Sequence, residues 1–179
     1  MSAVLVEAGP DKGAVWHFGE PVKEQRALEA GTAWADLSHH NIVAVSGADR
    51  LKWLHDLTTQ FVSDLQPGVW MPNMILDAKG HIEFQFNLVD DGTITFLVLD
   101  PGYSEQLIEY LTKMKFMLRV EVKDASDEYA VLRAPGAPTA IGGPFALVPR
   151  NEVEEMKKTF GGVATQVGTW AMDAERVAA

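Results

Sequence analysis

From His81 to Leu88 polar and apolar residues alternate without a break: Ile82, Phe84, Phe86 and Leu88 interleave with His81, Glu83, Gln85 and Asn87. A side-chain period of two belongs to a β-strand, so one face of this strand must meet a core and the other water or a cavity. Turn signals bound it on both sides, Asp77-Ala78-Lys79-Gly80 before and Asp90-Asp91-Gly92 after. Strands from Trp70 to Leu76 and from Thr93 to Leu99 are predicted beyond these turns. Connections of this length close hairpins and cannot join parallel strands, which need a crossover. The sheet is therefore antiparallel. Pro72 interrupts the first of the three strands and favours an edge or a bulge for it.

Helices flank this meander. Ser46 and Asp49 form an S-x-x-D box ahead of a helix carrying Leu51, Leu54 and Leu57 on one side. Ser104 opens a second helix with the stripe Leu107, Ile108, Leu111 and Met114. A strand from Leu118 to Val122 follows. Segment 48–122 thus reads helix–strand–strand–strand–helix–strand, an antiparallel sheet with helices on one face, which is α+β. Before it, a strand is predicted from Ile42 to Ser46 and a short polar helix from Glu24 to Trp34. After it come a strand from Tyr129 to Arg133 and a Pro/Gly/Ala-rich loop, flexible or a lid, from Pro135 to Pro144. A helix capped by Asn151 and Glu154 carries Val153, Met156 and Phe160 on one face. A final helix from Thr169 to Val177 aligns Trp170, Ala174 and Val177. Residues 1–47 and 123–179 are expected to form a second α+β subdomain interleaved with the first. The last helix stops without a capping residue, which suggests that the sequence continues in a longer protein.

Composition narrows the function. The formal net charge of −10 disfavours nonspecific attraction to nucleic acid or anionic membrane. The chain has no cysteine, which excludes disulfides, thiolate metal sites and a cysteine nucleophile within these residues. Neither a signal peptide nor an apolar run of membrane-spanning length is visible, so a soluble, cytoplasmic protein is expected. The five histidines lack ligand spacing. His39 and His40 are adjacent, and on a strand they would point to opposite faces, so no metal is expected. Gly142-Gly143 is too short for a phosphate loop, and Ser38 beside His39 is no dyad, because such partners meet through the fold. Asp124, Asp127 and Glu128 read as a solvated turn. Lys113, Lys115 and Arg119 read as the cationic end of a helix. The polar face His81, Glu83, Gln85 and Asn87 has two readings, a wetted sheet face or the hydrogen-bonding wall of a pterin-like heterocycle.

Several segments, taken in order, resemble the aminomethyltransferase (glycine cleavage T-protein) superfamily. They are Asp36-Leu37-Ser38-His39; Ser46-Gly47-Ala48-Asp49 with Leu54; Leu57-Thr58-Thr59 with Val62; Leu65-Gln66-Pro67-Gly68; Leu76-Asp77-Ala78-Lys79-Gly80-His81-Ile82; and Thr169 to Val177 with its internal Arg176. Where glycine-cleavage enzymes carry an acidic pair after the Gly-x-Ile turn, this chain has Phe84-Gln85. An amide can neither hold the negative charge nor shuttle the proton of the second acid, which meets the reacting nitrogen of tetrahydrofolate. The family's folate-binding glutamate after the late arginine corresponds to Ala178. The YgfZ-type branch, which keeps the Asp-Ala-Lys-Gly turn and lacks those acids, is the nearer resemblance.

That resemblance implies a folate-binding accessory protein that supports iron–sulfur protein maturation and tRNA modification, without aminomethyl transfer of its own. It implies a tetrahydrofolate cavity lined by His40, Pro72, Gln85, Asn87 and Leu99, with Gln85 and Asn87 bonding the pterin and Leu99 supplying apolar contact. His40 stands where the family usually has methionine. Iron–sulfur client proteins would be its partners. Segment 48–122 would be a ferredoxin-like subdomain, and a barrel-like third domain, with the branch's cysteine motif, would follow these residues. Two alternatives are a genuine folate-dependent aminomethyltransferase using another acid, such as Glu83, and an interaction scaffold without ligand.

Overall fold

The computed structural model describes residues 2–136 and 144–178. In chain order the elements begin with strands β1 (Val4–Leu5) and β2 (Val15–His17), helix α1 (Pro21–Glu29) and strands β3 (Ala33–Asp36) and β4 (Asn41–Ser46). Helix α2 (Arg50–Leu57) leads to β5 (Met71–Leu76), β6 (Ile82–Asp90) and β7 (Ile94–Leu99). Then follow α3 (Ser104–Met114), β8 (Glu121–Asp124), β9 (Tyr129–Arg133) and β10 (Phe145–Pro149). A 3-10 turn (Arg150–Glu152), α4 (Val153–Gly161), β11 (Thr165–Val167) and α5 (Thr169–Ala178) complete the described chain. Two compact units emerge, one from residues 1–40 with 127–179 and one from Asn41 to Ser126. The α+β class expected from the sequence holds. The second unit runs from Asn41 because β4 pairs with both β7 and β8 inside it.

The Asn41–Ser126 unit is a five-stranded antiparallel sheet in the order β5-β6-β7-β4-β8. Pro72 lies on β5, an edge strand, where its missing N–H costs no ladder bond. The core packs Phe86, Leu88, Leu97, Leu99, Val43, Val45 and Ile75 against Trp53 and Leu54 of α2 and Leu107 and Leu111 of α3. Ile108 and Met114 pack at its margin, as the helical stripe requires. Each fully buried leucine or phenylalanine here contributes roughly 2 kcal/mol of transfer free energy. Ile82 departs from the predicted alternation. It is 58% exposed at the outer end of β6, beside a register shift at Ile75/Leu76.

Two capping expectations fail for identifiable reasons. Ser46 ends β4 and Asp49 is the N-cap of α2 without a side-chain cap bond. The Asp49 carboxylate is committed to Arg119 instead, accepting from its backbone N–H, Nε and Nη2 at 2.8–3.0 Å. Asn151 lies inside the 3-10 turn, and α4 starts at Val153. Asn73, buried beneath the sheet, secures the end of α2. Its amide donates to Thr58 Oγ1, and its carbonyl oxygen accepts from Thr59 Oγ1 and the Gln60 N–H.

The other unit holds a four-stranded sheet, β10-β9-β3-β11, and the ribbon β1-β2. Its β3–β11 pair is parallel, joining segments about 130 residues apart in sequence, so no hairpin rule is violated. The predicted helix reaching Trp34 stops at Glu29, because Gly31 turns the chain at φ +70° and residues 33–36 enter the sheet. Strands β10 and β11 are too short or too close to loop residues to declare themselves in the sequence. On α5 the buried apolar residue, among the described residues, is Ala171, packed with Leu28, Ala33, Ala35 and Val167, while Trp170 and Val177 are exposed. The predicted stripe was thus one residue off the true face. Most of the predicted lid, including Gly142-Gly143, lies outside the described residues.

Two buried charged side chains brace this unit. Glu24, 6% exposed, accepts backbone bonds from Phe18, Glu20 and Gly168. Arg133 is buried on β9 and forks onto Glu175 of α5 at 2.7 and 3.2 Å, while donating to the carbonyls of Ala134 and Gly136. Among the described residues no helix is long and apolar enough to cross a membrane.

Candidate functional site

The register of the five-stranded sheet decides which predicted residues share a surface. Pro72 lies opposite Asn87, Met74 opposite Gln85, and Asn87 opposite Val98. Directly paired residues project from the same side, so Pro72, Gln85 and Asn87 occupy one face, away from the helices. Gln85 is exposed and Asn87 half-buried. Leu88 pairs with Leu97, and Leu99 follows with the same parity, so the Leu99 side chain points to the opposite, helix-covered face among the core residues. An apolar contact from Leu99 to a ligand held by Asn87 on the outer face is therefore not available across the sheet.

Gln85 and Leu99 nevertheless meet at one place. The β6–β7 ladder begins at Asn87–Val98, so residues 82–85 of β6 run past the end of β7 at Leu99. There β7 turns away through Asp100-Pro101-Gly102 into α3, with Gly102 at φ +92°. A recess of ≈ 180 Å³ opens at this departure, lined by Glu83, Phe84, Gln85, Leu99, Asp100 and Tyr103. Its polar lining residues are Glu83, Gln85, Asp100 and Tyr103, with no Lys or Arg among them. Below it Phe84 packs on Tyr110 with ring centroids 5.6 Å apart. Burial and then the Glu83 charge raise the Tyr110 phenol above its ordinary range. Pockets for drug-sized molecules start near ~300 Å³, so this recess alone admits a ring system and not an entire extended ligand.

Asp100 and Tyr103 were not picked out in the sequence. The signal was the Asp100-Pro101-Gly102 turn, which marks where a strand must leave its neighbour. The predicted basic cluster dissolves into separate pairs, Lys113 with Glu109 at 2.6 Å and Arg119 with Asp49 at 2.8 Å. Asp124 accepts from the Ser126 N–H, closing a turn as expected.

His40 belongs to the other unit. It ends the turn between β3 and β4, where its N–H donates to the Leu37 carbonyl. Residues 37–40 are not strand, which removes the reason given for His39 and His40 pointing apart. Their rings meet edge to face, centroids 4.8 Å apart, and both approach Asp11 in the β1–β2 loop.

The architecture is shared with a solved aminomethyltransferase. The fold matches the crystal structure of glycine cleavage system aminomethyltransferase T from Bartonella henselae with a TM-score of 0.76. That match covers 94% of this chain and 56% of that one, at 15% sequence identity. In sequence, an aminomethyltransferase of Cupriavidus necator is 26% identical over 137 residues, 76% of this chain and 31% of its own length. A chloroplastic protein of Arabidopsis thaliana with a provisional transferase name is 26% identical over 140 residues, 76% of this chain and 32% of its own. The chain thus spans about a third of the length of these curated relatives. No family model matches it.

Proposed function

We propose that this chain is the folate-binding portion of a YgfZ-type accessory protein, which takes up tetrahydrofolate without transferring an aminomethyl group. The observation that carries the reading is the recess beside Gln85, where β6 outruns β7. An amide there can donate and accept toward the edge of a pterin, whose ring carries both kinds of group. Phe84 and Leu99 add apolar wall. The lack of a cation in the lining favours the pterin head over the anionic glutamate tail as the part bound there. Pro72 and Asn87 extend the same outer face. Support for iron–sulfur protein maturation and for tRNA modification is the cellular role this reading assigns, with the client proteins as partners.

Gln85 in place of an acid argues against amine transfer, since a neutral amide takes no proton in the working pH range. Glu83 and Asp100 in the same recess favour one second reading, a folate-dependent aminomethyltransferase using a displaced carboxylate. Two experiments separate the readings. Calorimetric titration with tetrahydrofolate and its 5-formyl form should give saturable binding, weakened about fivefold in Gln85→Ala, the worth of one net hydrogen bond of ~1 kcal/mol. No saturable binding would leave a ligand-free scaffold. An assay with lipoyl-bound aminomethyl substrate should show no turnover, and turnover lost on Glu83→Gln would establish the transferase.

A further inference from the structure

We propose that Asp11, His39 and His40 form a divalent metal site, taking a borderline cation such as Zn²⁺ through two imidazoles and one carboxylate. The Nε2 of His39 lies 2.9 Å from Asp11 Oδ1, and the Nε2 of His40 lies 4.0 Å from the same oxygen. One ligand atom from each residue falls within 4.8 Å of the others. An ion bonded at about 2.0–2.1 Å separates its ligand atoms by about 3 Å, so shifts of roughly 1 Å complete the set. The donors suit the ion: neutral imidazole and carboxylate hold Zn²⁺ and related metals, and two histidines with one carboxylate leave positions open for water or a further ligand.

Two independent backbone devices bring the donors together. Asp11 sits in the β1–β2 loop, pinned by Lys12 N–H to Gly9 O, Gly13 N–H to Val6 O and Ala14 N–H to Asp11 O. The histidines sit on the short turn between β3 and β4, fixed by His40 N–H to Leu37 O and by Ser38 N–H to Asp36 Oδ1. All three side chains are half-buried, with relative exposures of 29%, 26% and 18%. Adjacent histidines on a turn can converge as they cannot on a strand, and no ligand-spacing motif is then needed. A bound ion would clamp the β1–β2 loop to the sheet of its own unit. It would also give His40 a role other than a pterin contact. The proposal does not rest on folate binding.

The test is titration of the metal-free chain with Co²⁺, followed by visible absorption, and with Zn²⁺, followed by calorimetry. One ion per chain should bind, with the d–d bands of a low-coordinate nitrogen–oxygen site and a raised Tm. Asp11→Asn and His40→Asn should each weaken binding at least tenfold. His81→Ala, which removes an exposed histidine paired with Asp77, should leave it unchanged. Paramagnetic shifts from Co²⁺ on the unaltered chain should fall on the ring protons of His39 and His40, which locates the ion even if a variant misfolds. Absence of saturable binding, or Co²⁺ shifts centred on another histidine, overturns the proposal.

Discussion

Arg50 and Asp90 form a two-pronged ion pair within the sheet unit, Nε to Oδ2 and Nη2 to Oδ1 at 2.8 Å each. Asp90 is 1% exposed and also accepts from Thr95 Oγ1 and the Gly92 N–H. One carboxylate thereby joins the first turn of α2, the end of β6, the hairpin and β7.

Asp90→Ala should therefore cost about 3 kcal/mol at neutral pH, because it strands a partly buried guanidinium. Burial pushes the Asp90 carboxyl up, but Arg50, Thr95 and the Gly92 N–H together hold it below the ordinary carboxylate range. A carboxyl depressed in the folded state contributes its stability above its unfolded pKa and loses it as pH falls through the folded value. Chemical denaturation from pH 7 down to acid should show the wild type losing stability below about pH 4, and the variant losing less.

Asp49 offers a titration test without a stability claim. Its hydrogen bonds from the Arg119 side chain and backbone hold its carboxyl at about 2. A carbon-detected NMR titration should find that value, and Arg119→Ala should return Asp49 toward the ordinary range. An Asp49 already titrating near 4 in the wild type would contradict the pair.

Glycine is required at position 47 and merely convenient at position 80. Gly47 has φ +113°, and a Cβ there would stand 2.0 Å from the Arg119 carbonyl oxygen. Gly80 has φ +85° and nothing within 4 Å of such a Cβ. Gly80→Ala should cost about 1 kcal/mol of backbone strain, whereas Gly47→Ala must also displace the chain before β8 and should cost at least ~3 kcal/mol. Equal Tm losses for the two variants would contradict this.

The late helix carries a similar contrast. Glu175→Ala should destabilise by about 3–5 kcal/mol, since it leaves the buried Arg133 guanidinium without its carboxylate. Arg176, two-thirds exposed and 3.7 Å from Asp173, should tolerate alanine within about 0.5 kcal/mol. Thermal melts of the two variants decide the matter.

The sequence was most readable where a period and a turn coincide. Residues 70–99 announced a three-stranded antiparallel meander through alternation and two Asp/Gly turns, and the structure has it. The α3 stripe was equally plain, because a helix against one sheet face needs apolar residues at 3.6 spacing. Less was legible where long-range partners override local signals. Ser46 and Asp49 look like a cap, yet Arg119, seventy residues on, claims the carboxylate. The α5 face was misjudged because Trp170 is large but peripheral, whereas small Ala171 fits against α1. At the candidate site, alternation placed Gln85 and Asn87 together on the outer face. It could not place Leu99, whose side is set by register with β6, nor Asp100 and Tyr103, which enter only because β7 leaves the sheet early. The convergence of His39 and His40 on Asp11 was hidden for the same reason: it depends on a turn and a distant loop.

The most direct test of the folate reading is an amide-resolved NMR titration of the chain with tetrahydrofolate. The side-chain amide signals of Gln85 and Asn87, and the backbone signals of residues 82–87 and 99–103, should shift together and saturate with one affinity. Saturable binding that leaves all of these signals in place, or no binding at all, would contradict the placement of the pterin where β7 parts from β6.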